Sequence, residues 1–288
     1  MMRTKGERVF NVFNIVLVLV VTSTCLLPFL NVLAKSFSDN IAVLSKNVVF
    51  WPIGWNLHSY SYVMKSSQFI RSLLNSVFIT TSGTLLSMTI TVLTAFMFTR
   101  QNMPFQKMII RLFIVTMFFS GGLIPTYVLF RQMSLLNTFW VLILPGAVGV
   151  FNIVLMRNFF ESVSISLEES ARMDGASNFR ILFQIYLPLS KPALATIALF
   201  FAVNRWNAYF NAVMYTSSRT VMPIQLYLRN ILLSLDTLME QDPQQLEYVA
   251  QEGVRAATII AAMLPIMLVY PFLQKYFVQG VMIGAIKE

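Results

Sequence analysis

The chain has 288 residues, of which 57% are hydrophobic and 11% are charged, whereas a soluble domain carries about 25% charged residues. Its mean hydropathy of +0.68 indicates that lipid is the solvent for most side chains. The net charge of +9 does not indicate a nucleic-acid partner, because the basic residues are spread between apolar runs rather than gathered on one face. The single cysteine, Cys25, excludes a disulfide scaffold. The composition therefore predicts an integral membrane protein.

Six apolar runs are long enough to cross a bilayer, since an α-helix of about 20 residues spans the hydrocarbon region. Backbone polar groups must be paired in lipid, so these runs are predicted to be helices. They cover about 10–33, 69–98, 108–130, 139–159, 193–215 and 254–277. The first run is longer than the apolar core of a signal peptide, which favours a retained helix. The predicted fold is an all-α polytopic membrane protein, with residues 1–288 forming a single transmembrane domain.

The basic residues predict how the spans are oriented in the membrane, and the glycines and prolines predict where the helices are interrupted. Lys and Arg are more numerous in the segments on the side of the N-terminus, which predicts that both termini lie in the cytoplasm. Glycine and proline are expected to interrupt the third, fourth and sixth runs, at Gly121-Gly122 with Pro125, at Pro145-Gly146, and at Pro265 with Pro271. Such breaks are either ordinary kinks or, as in transporters, elements that open a path.

The sequence lacks the residues that several classes of membrane transporter and enzyme require. No acidic residue falls inside the predicted spans, which argues against a proton- or sodium-coupled carrier. There is no HExxH helix, no metal-ligand cluster and no phosphate-binding glycine loop. We therefore predict no catalytic site, metal or cofactor in this chain. If ATP hydrolysis drives the protein, another chain performs it.

Residues 161–191, between the fourth and fifth runs, form a polar loop that is predicted to contain two short helices. Ser166 to Glu169 has the spacing of a capping box, and Gly175 permits a left-handed turn. The second segment, 178–186, is expected to place its apolar residues on one face and to end at Leu187-Pro188. Those apolar residues are Phe179, Leu182, Phe183 and Tyr186. The loop is either an amphipathic connector on the membrane surface or a rigid knob for a cytoplasmic partner.

This loop resembles the EAA loop of ABC importer permeases, whose pattern is E-A-A, three residues, G, nine residues, I-x-L-P. The chain keeps that register at Glu169, Ala171, Gly175, Ile185, Leu187 and Pro188, with Ser170 in place of the first Ala. The resemblance covers essentially the whole chain, including residues 119–127, 136–138, 157–160, 206–207 and 274–287. It is closest to the maltose-permease type, and within that type to Gram-positive permeases for complex polysaccharide fragments.

The resemblance implies a bacterial cytoplasmic-membrane importer of oligosaccharides, in which this chain is one of several subunits. The implied partners are a second homologous permease, two copies of an ATPase that binds ATP and Mg, and an extracytoplasmic solute-binding protein. The loop between the fourth and fifth spans would be the coupling helix that contacts the ATPase. The residues expected to couple are Glu168, Glu169, Ser170, Ala171, Asp174, Gly175, Ala176, Leu187 and Pro188.

The fifth run carries unusual polarity, in Asn204, Arg205, Trp206, Asn207, Tyr209 and Asn211. Asn204, Asn207 and Asn211 fall at i, i+3 and i+7 and are therefore predicted to share one face. They either bond to the partner permease or line a sugar path, with Trp206 or Tyr209 stacking on sugar rings. Arg205 either pairs with a uronate carboxylate or reaches towards the membrane interface. The alternative functions are an ABC permease for a non-sugar solute and a secondary transporter.

Overall fold

The computed structural model describes residues 5–100, 103–119, 121–241 and 251–285, and every regular element within them is a helix. The all-helical prediction is therefore confirmed for this part of the chain. The residues of the predicted family stretches at 120 and 286–287 lie outside it. The helices are α1 (Lys5–Ser36), α2 (Asn40–Leu44), α3 (His58–Lys65), α4 (Ser67–Phe98), α5 (Gln106–Thr116), α6 (Leu123–Gln132), α7 (Trp140–Ile143), α8 (Val150–Glu161), α9 (Ile165–Met173), α10 (Asn178–Ile181), a π-helix (Leu182–Tyr186), α11 (Leu187–Leu189), α12 (Lys191–Asn207), α13 (Phe210–Tyr215), α14 (Ile224–Gln241) and α15 (Gln251–Ala285).

Three of the described helices are individually long and apolar enough to cross a membrane. They are Phe10–Ser36 within α1, the whole of α4, and Glu252–Val269 within α15, which correspond to the first, second and sixth predicted runs. The count rises to five only if α8 with α9, and Asn178–Leu189 with α12, are each taken as one span across bends of 73° and 85°. Glu252, which lies two residues before the predicted run 254–277, is the first residue of the third stretch.

Two of the three predicted interruptions are confirmed, and one is wrong. The third run is divided between α5 and α6, and Gly122, with a φ of +82°, directly precedes α6. The fourth run is divided at Pro145-Gly146, where Gly146 has a φ of +73°. The sixth run is not interrupted, because α15 continues through Pro265 and Pro271. Transmembrane helices tolerate proline where local adjustments satisfy the freed backbone groups.

The fifth run contains a break that the sequence did not predict. Helix α12 ends at Asn207, Ala208 is extended (φ −75°, ψ 95°), and α13 begins at Phe210. No glycine or proline marks this position, and alanine is the strongest helix former. Tertiary packing therefore decides the break. The prediction that Asn204, Asn207 and Asn211 share the face of one continuous helix is wrong.

The described chain divides into two compact units. The first contains the residues before Arg71 and those of Tyr227–Leu264, and the second contains Arg71–Leu226 and the residues from Pro265 onwards. In the first unit, the Lys35 ammonium lies 3.0 Å from Glu252 Oε2. Ser36 Oγ and the Tyr60 hydroxyl are 2.9 Å apart and share a hydrogen bond. These contacts join the end of α1 to α3 and to the start of α15.

Two hydrophobic clusters of described residues lie in the second unit, and one of them anchors the second half of the loop 161–191. That cluster joins the second half of the loop to α4, α8 and α12, through Ala95, Phe96, Met156, Phe160, Ile181, Leu182, Tyr186, Ala193, Ile197 and Phe201. Between membrane helices, close packing of side chains is a main source of association. The second half of the loop is therefore packed against the membrane helices α4, α8 and α12.

Candidate functional site

The first helix of the loop, α9, begins earlier than the sequence predicted and lacks the predicted cap. Its N-cap residue is Ser164, and no side chain there bonds to a free backbone N–H. Ser164 Oγ and Ser166 Oγ instead share a hydrogen bond of 2.8 Å. The capping-box prediction for Ser166 and Glu169 is therefore wrong, since Ser166 already lies in the first helical turn. Glu169 is exposed on the surface of α9.

The turn after α9 is a Schellman motif built on Gly175. The Ala176 N–H donates to Ala171 O at 2.9 Å and the Gly175 N–H donates to Arg172 O at 3.0 Å, which is the paired pattern that closes a helix C-terminus. Gly175 has a φ of +77°, and a Cβ added there would meet no atom within 4 Å. Glycine is thus required by the left-handed backbone rather than by lack of space. The predicted left-handed stop is confirmed.

The second half of the loop has a different geometry from the predicted amphipathic helix. Leu182 and Tyr186 are buried, whereas Phe179 and Phe183 are 68% and 60% exposed. The predicted single apolar face is therefore wrong. The π-helix at Leu182–Tyr186 changes the angular spacing of the side chains, which separates the two pairs. The helical segment also continues past Leu187-Pro188 to Leu189.

A buried carboxylate, Glu168, connects the loop to the end of α4. Arg100 Nη1, just beyond α4, donates to Glu168 Oε1. Arg172 Nε donates to the same oxygen at 2.9 Å, and the Tyr186 hydroxyl donates to Oε2 at 2.6 Å. Arg172 also donates to Asn178 Oδ1 at 3.0 Å, across the turn. Both halves of the loop and the end of α4 therefore share one polar cluster, which we call the Glu168 cluster.

The Glu168 cluster shifts the pKa of two of its members. Burial alone would raise the pKa of Glu168, but the hydrogen bonds from Tyr186 and Arg172 and the Arg100 charge outweigh it and hold that pKa below its usual value. Burial and the neighbouring Glu168 carboxylate raise the pKa of Tyr186 to about 12. Glu168 is consequently an anion and Tyr186 a neutral donor across the ordinary pH range.

The remaining predicted coupling residues occupy two environments. Ala171, Ala176 and Leu187 are partly buried against the hydrophobic cluster of the loop. The exposed members are Glu169, Ser170, Asp174, Gly175 and Pro188. The sequence prediction did not include Arg100 or Tyr186. The i, i+4 spacing of Glu168 and Arg172 is visible in the sequence, but no sequence pattern connects Arg100 to them across 68 residues.

Of the six predicted path residues, the structure brings three together. Asn204, Arg205 and Asn211 line a cavity of about 50 Å³ in the second unit, next to Pro145 and Gly146. This volume holds a few water molecules and is smaller than a sugar ring. Trp206 is buried, whereas Asn207 and Tyr209 are exposed, and none of these three lines the cavity.

The Arg205 side chain is enclosed by protein rather than reaching towards an interface. Its Nη1 donates to Ile143 O at 2.9 Å and to Leu142 O at 3.4 Å, and its Nη2 donates to Ser87 Oγ at 2.8 Å. The residue is 9% exposed. Within the described residues, no group of three or more His, Cys, Asp or Glu side chains is arranged to hold a metal ion.

Long apolar helices, broken helices that carry buried polar groups, and a rigid packed loop define a polytopic helical membrane protein. Residues 64–283 match the family described as the binding-protein-dependent transport system inner membrane component. The chain belongs to this family, which is a transport component and not an enzyme.

Similar proteins with known names agree with the resemblance seen in the sequence. Protein LplC of Bacillus subtilis is 39% identical over 288 residues, which are 100% of this chain and 98% of that protein. The polygalacturonan/rhamnogalacturonan transport system permease protein YtcP of the same organism is 38% identical over 98% of this chain and 99% of its own length. A chain in the crystal structure of a bacterial ABC transporter involved in the import of the acidic polysaccharide alginate is 32% identical. It aligns over 96% of this chain and 99% of its own length, with a TM-score of 0.88. The prediction of an ABC importer permease is confirmed.

Proposed function

We propose that this chain is a permease subunit that imports oligosaccharides, and in particular uronate-containing polysaccharide fragments. The proposal is supported by the transport of polygalacturonan and rhamnogalacturonan named for one relative and of alginate named for the similar structure. Both names describe acidic polysaccharides. A charged, chain-like sugar is therefore the substrate class that we infer.

In this proposal the chain crosses the bacterial cytoplasmic membrane six times as one domain, with both termini in the cytoplasm. A second, homologous permease completes the path, two copies of an ATPase bind ATP and Mg on the cytoplasmic side, and an extracytoplasmic binding protein delivers the sugar. The family description, which names binding-protein dependence and an inner membrane component, supports the binding protein and the location.

The Glu168 cluster, together with the Gly175 turn, is the observation that supports a coupling role for residues 165–189. A segment that transmits movement must be rigid. Here both halves of the loop bond to one carboxylate, Glu168, that is also bonded to Arg100 at the end of α4. The exposed residues Glu169, Ser170 and Asp174 would contact the ATPase, while the Glu168 cluster would carry the movement to α4. ATPase closure would thereby displace the membrane helices as the loop moves.

The path residues of the fifth run are proposed to act at the cavity beside Pro145-Gly146, where the fourth run is broken after α7. The shared lining by Asn204 and Asn211 supports this assignment, because amide groups bond to hydroxyls and the two lie on opposite sides of the Ala208 break. Asn207, Tyr209 and Trp206 would meet the sugar only after the helices move. Opening of the cavity is consequently part of the transport cycle that we propose.

The experiment begins with a mild-detergent pull-down of the tagged chain from its native membrane, read by mass spectrometry. We expect recovery of a second permease and an ATPase. In the recovered complex, Gly175→Val should lower the sugar transported per ATP hydrolysed by about tenfold, because a β-branched residue is strained at positive φ. Gly175→Asn is the matched control, since asparagine tolerates this conformation, and should stay within about twofold of the wild type. Recovery of the chain alone, or normal transport by Gly175→Val, would contradict the proposal.

A further inference from the structure

We propose that Arg205 is a positioning residue that fixes the broken end of α7 to α4 and α12, and so holds the wall of the path. The inference rests on the proposed transport function, because it assigns a role in that path. It differs from direct pairing of Arg205 with a uronate, since the guanidinium acts here on the protein's own backbone.

The need for such a residue follows from the break in the fourth run. Helix α7 ends at Ile143, Pro145 has no N–H to donate, and Gly146 turns away at a φ of +73°. The Ala147 N–H bonds to Leu144 O instead of continuing the helix. The carbonyls of Leu142 and Ile143 therefore belong to a last helical turn without partners within the helix. Inside a membrane no water is available to bond to such a carbonyl, so leaving it unsatisfied is unfavourable.

Arg205 supplies the missing donors from a different helix. Its Nη1 reaches both carbonyls and its Nη2 reaches Ser87 Oγ on α4. A buried arginine is costly in a membrane and is retained where it pairs with charges or backbone carbonyls. Here the two terminal nitrogens of Arg205 supply the donors that the α7 carbonyls lack, while its buried Nε has no hydrogen-bond partner among the described residues. Three helices are thereby joined at one point.

Gly83 on α4 provides the space in which the guanidinium lies. A Cβ added to Gly83 would come within 2.6 Å of both Cζ and Nε of Arg205, which is closer than atoms can pack. The guanidinium therefore lies directly against the α4 backbone, and a Cβ at position 83 would force it away from its hydrogen-bond acceptors. This close approach explains a glycine at position 83, which helix propensity does not, since glycine is unfavourable in a helix interior.

The geometry also indicates what Arg205 does not do in this conformation. Both terminal nitrogens donate to the protein, and Nε lies against Gly83. Arg205 nevertheless lines the same cavity as Asn204, Asn211 and the Pro145-Gly146 break. The residue therefore shapes the cavity by holding its wall, and the asparagine amides remain the groups that meet the sugar.

The experiment uses the complete transporter in proteoliposomes with an oligogalacturonide, and measures sugar uptake and ATP hydrolysis together. We expect Arg205→Ala and Gly83→Ala each to lower the sugar uptake per ATP hydrolysed by about tenfold. A hydrogen bond to a charged group contributes about as much free energy as a tenfold change in an equilibrium constant. Ser87→Ala, which removes one acceptor and no charge, should lower the same ratio about threefold. Arg205→Lys should recover little, since an ammonium lacks the planar fork. The exposed Arg131→Ala is the matched control and should transport as the wild type does.

Three results would overturn the inference. Wild-type coupling in Gly83→Ala beside impaired Arg205→Ala would show that the guanidinium acts on the sugar and not on the wall. Restored transport in Arg205→Lys would show that only the charge is needed. If Arg205→Ala does not assemble, Ser87→Ala decides, and wild-type coupling there would contradict the proposal. Failure of the wild-type complex to take up any oligosaccharide is a different result, since it contradicts the proposed function itself.

Discussion

The Glu168 cluster and the Arg205 site are two ways of burying a charge in one unit of this protein. Glu168 is a carboxylate that accepts hydrogen bonds from two guanidinium groups and a phenol. Arg205 is a guanidinium whose hydrogen-bond acceptors are two backbone carbonyls and a serine hydroxyl. The first site balances charge with charge, and the second balances charge with neutral dipoles.

The difference follows from where each residue lies in the sequence. Residues 161–191 contain both acidic and basic side chains, so a carboxylate there can find counter-charges nearby. The predicted fifth span contains no acidic residue, and the broken end of α7 offers carbonyl oxygens instead. A helix break in a membrane thus leaves backbone carbonyls free, and these carbonyls stabilise a buried arginine by accepting its hydrogen bonds.

The largest expected effect comes from removing the central carboxylate. Glu168→Ala should lower the free energy of unfolding by about 3 kcal/mol, because it leaves Arg100, Arg172 and Tyr186 without their shared acceptor. Glu168→Gln keeps the shape and one acceptor oxygen, so the loss should be nearer about 1 kcal/mol. Thermal unfolding of the purified chain in detergent, without the ATPase that Glu169 is proposed to contact, measures both.

The neighbouring residue provides the control for this comparison. Glu169 is exposed on the same helix, so Glu169→Ala should change the stability by less than about 0.5 kcal/mol. Equal losses in Glu168→Ala and Glu169→Ala would contradict the central role of the Glu168 cluster.

A pH series should distinguish the Glu168 cluster from the Arg205 site. Its effect on stability should be smaller than that of removing the Glu168 carboxylate. The pKa of Glu168 is lowered in the folded protein, so its contribution is complete above the unfolded value near 4.5 and is lost as the pH falls through the folded value. The pKa of Tyr186 is raised to about 12, so its contribution is complete below pH 10 and is lost as the pH rises towards 12. The hydrogen-bond acceptors of Arg205 do not titrate.

The measurement compares unfolding temperatures from pH 3.5 to 7 and from pH 9 to 11. The unfolding temperature of the wild type should fall at low pH (the acid limb) and at high pH (the alkaline limb). Glu168→Gln should lose the acid limb, and Tyr186→Phe should lose the alkaline limb. Ser87→Ala, at the Arg205 site, should keep both limbs. A wild-type profile unchanged by Glu168→Gln would show that the acid limb arises elsewhere.

The sequence predicts the polar loop and its glycine turn well because those features are local. Gly175 follows a short amphipathic segment, and the required left-handed φ is a property of that position alone. The breaks at Gly122 and at Pro145-Gly146 are local in the same sense. The cap of α9 was misplaced because Ser164 and Ser166 are both suitable residues two positions apart.

The contacts that make the sites are not local, and the sequence does not reveal them. Arg100 and Glu168 are separated by 68 residues, and Arg205 and Ser87 by 118. The polarity of Arg205 identified it as unusual, but its acceptors are main-chain atoms, which every residue has. The break at Ala208 likewise depends on packing around α12 and α13 rather than on the identity of the residue.

The two arginines of the Glu168 cluster should differ in how much each stabilises the protein. The Arg172 side chain is 47% exposed and the Arg100 side chain is 20% exposed, although both contact the same oxygen. Water screens an exposed ion pair, so Arg172→Ala should cost only about 0.5 kcal/mol of unfolding free energy. Arg100 also packs over the Phe96 ring at 3.9 Å, which adds a cation–π contact. Arg100→Ala should therefore cost about 2 kcal/mol, measured by the same thermal unfolding. A larger loss in Arg172→Ala than in Arg100→Ala would show that the turn of the loop, and not its attachment to the end of α4, is the part that the carboxylate stabilises.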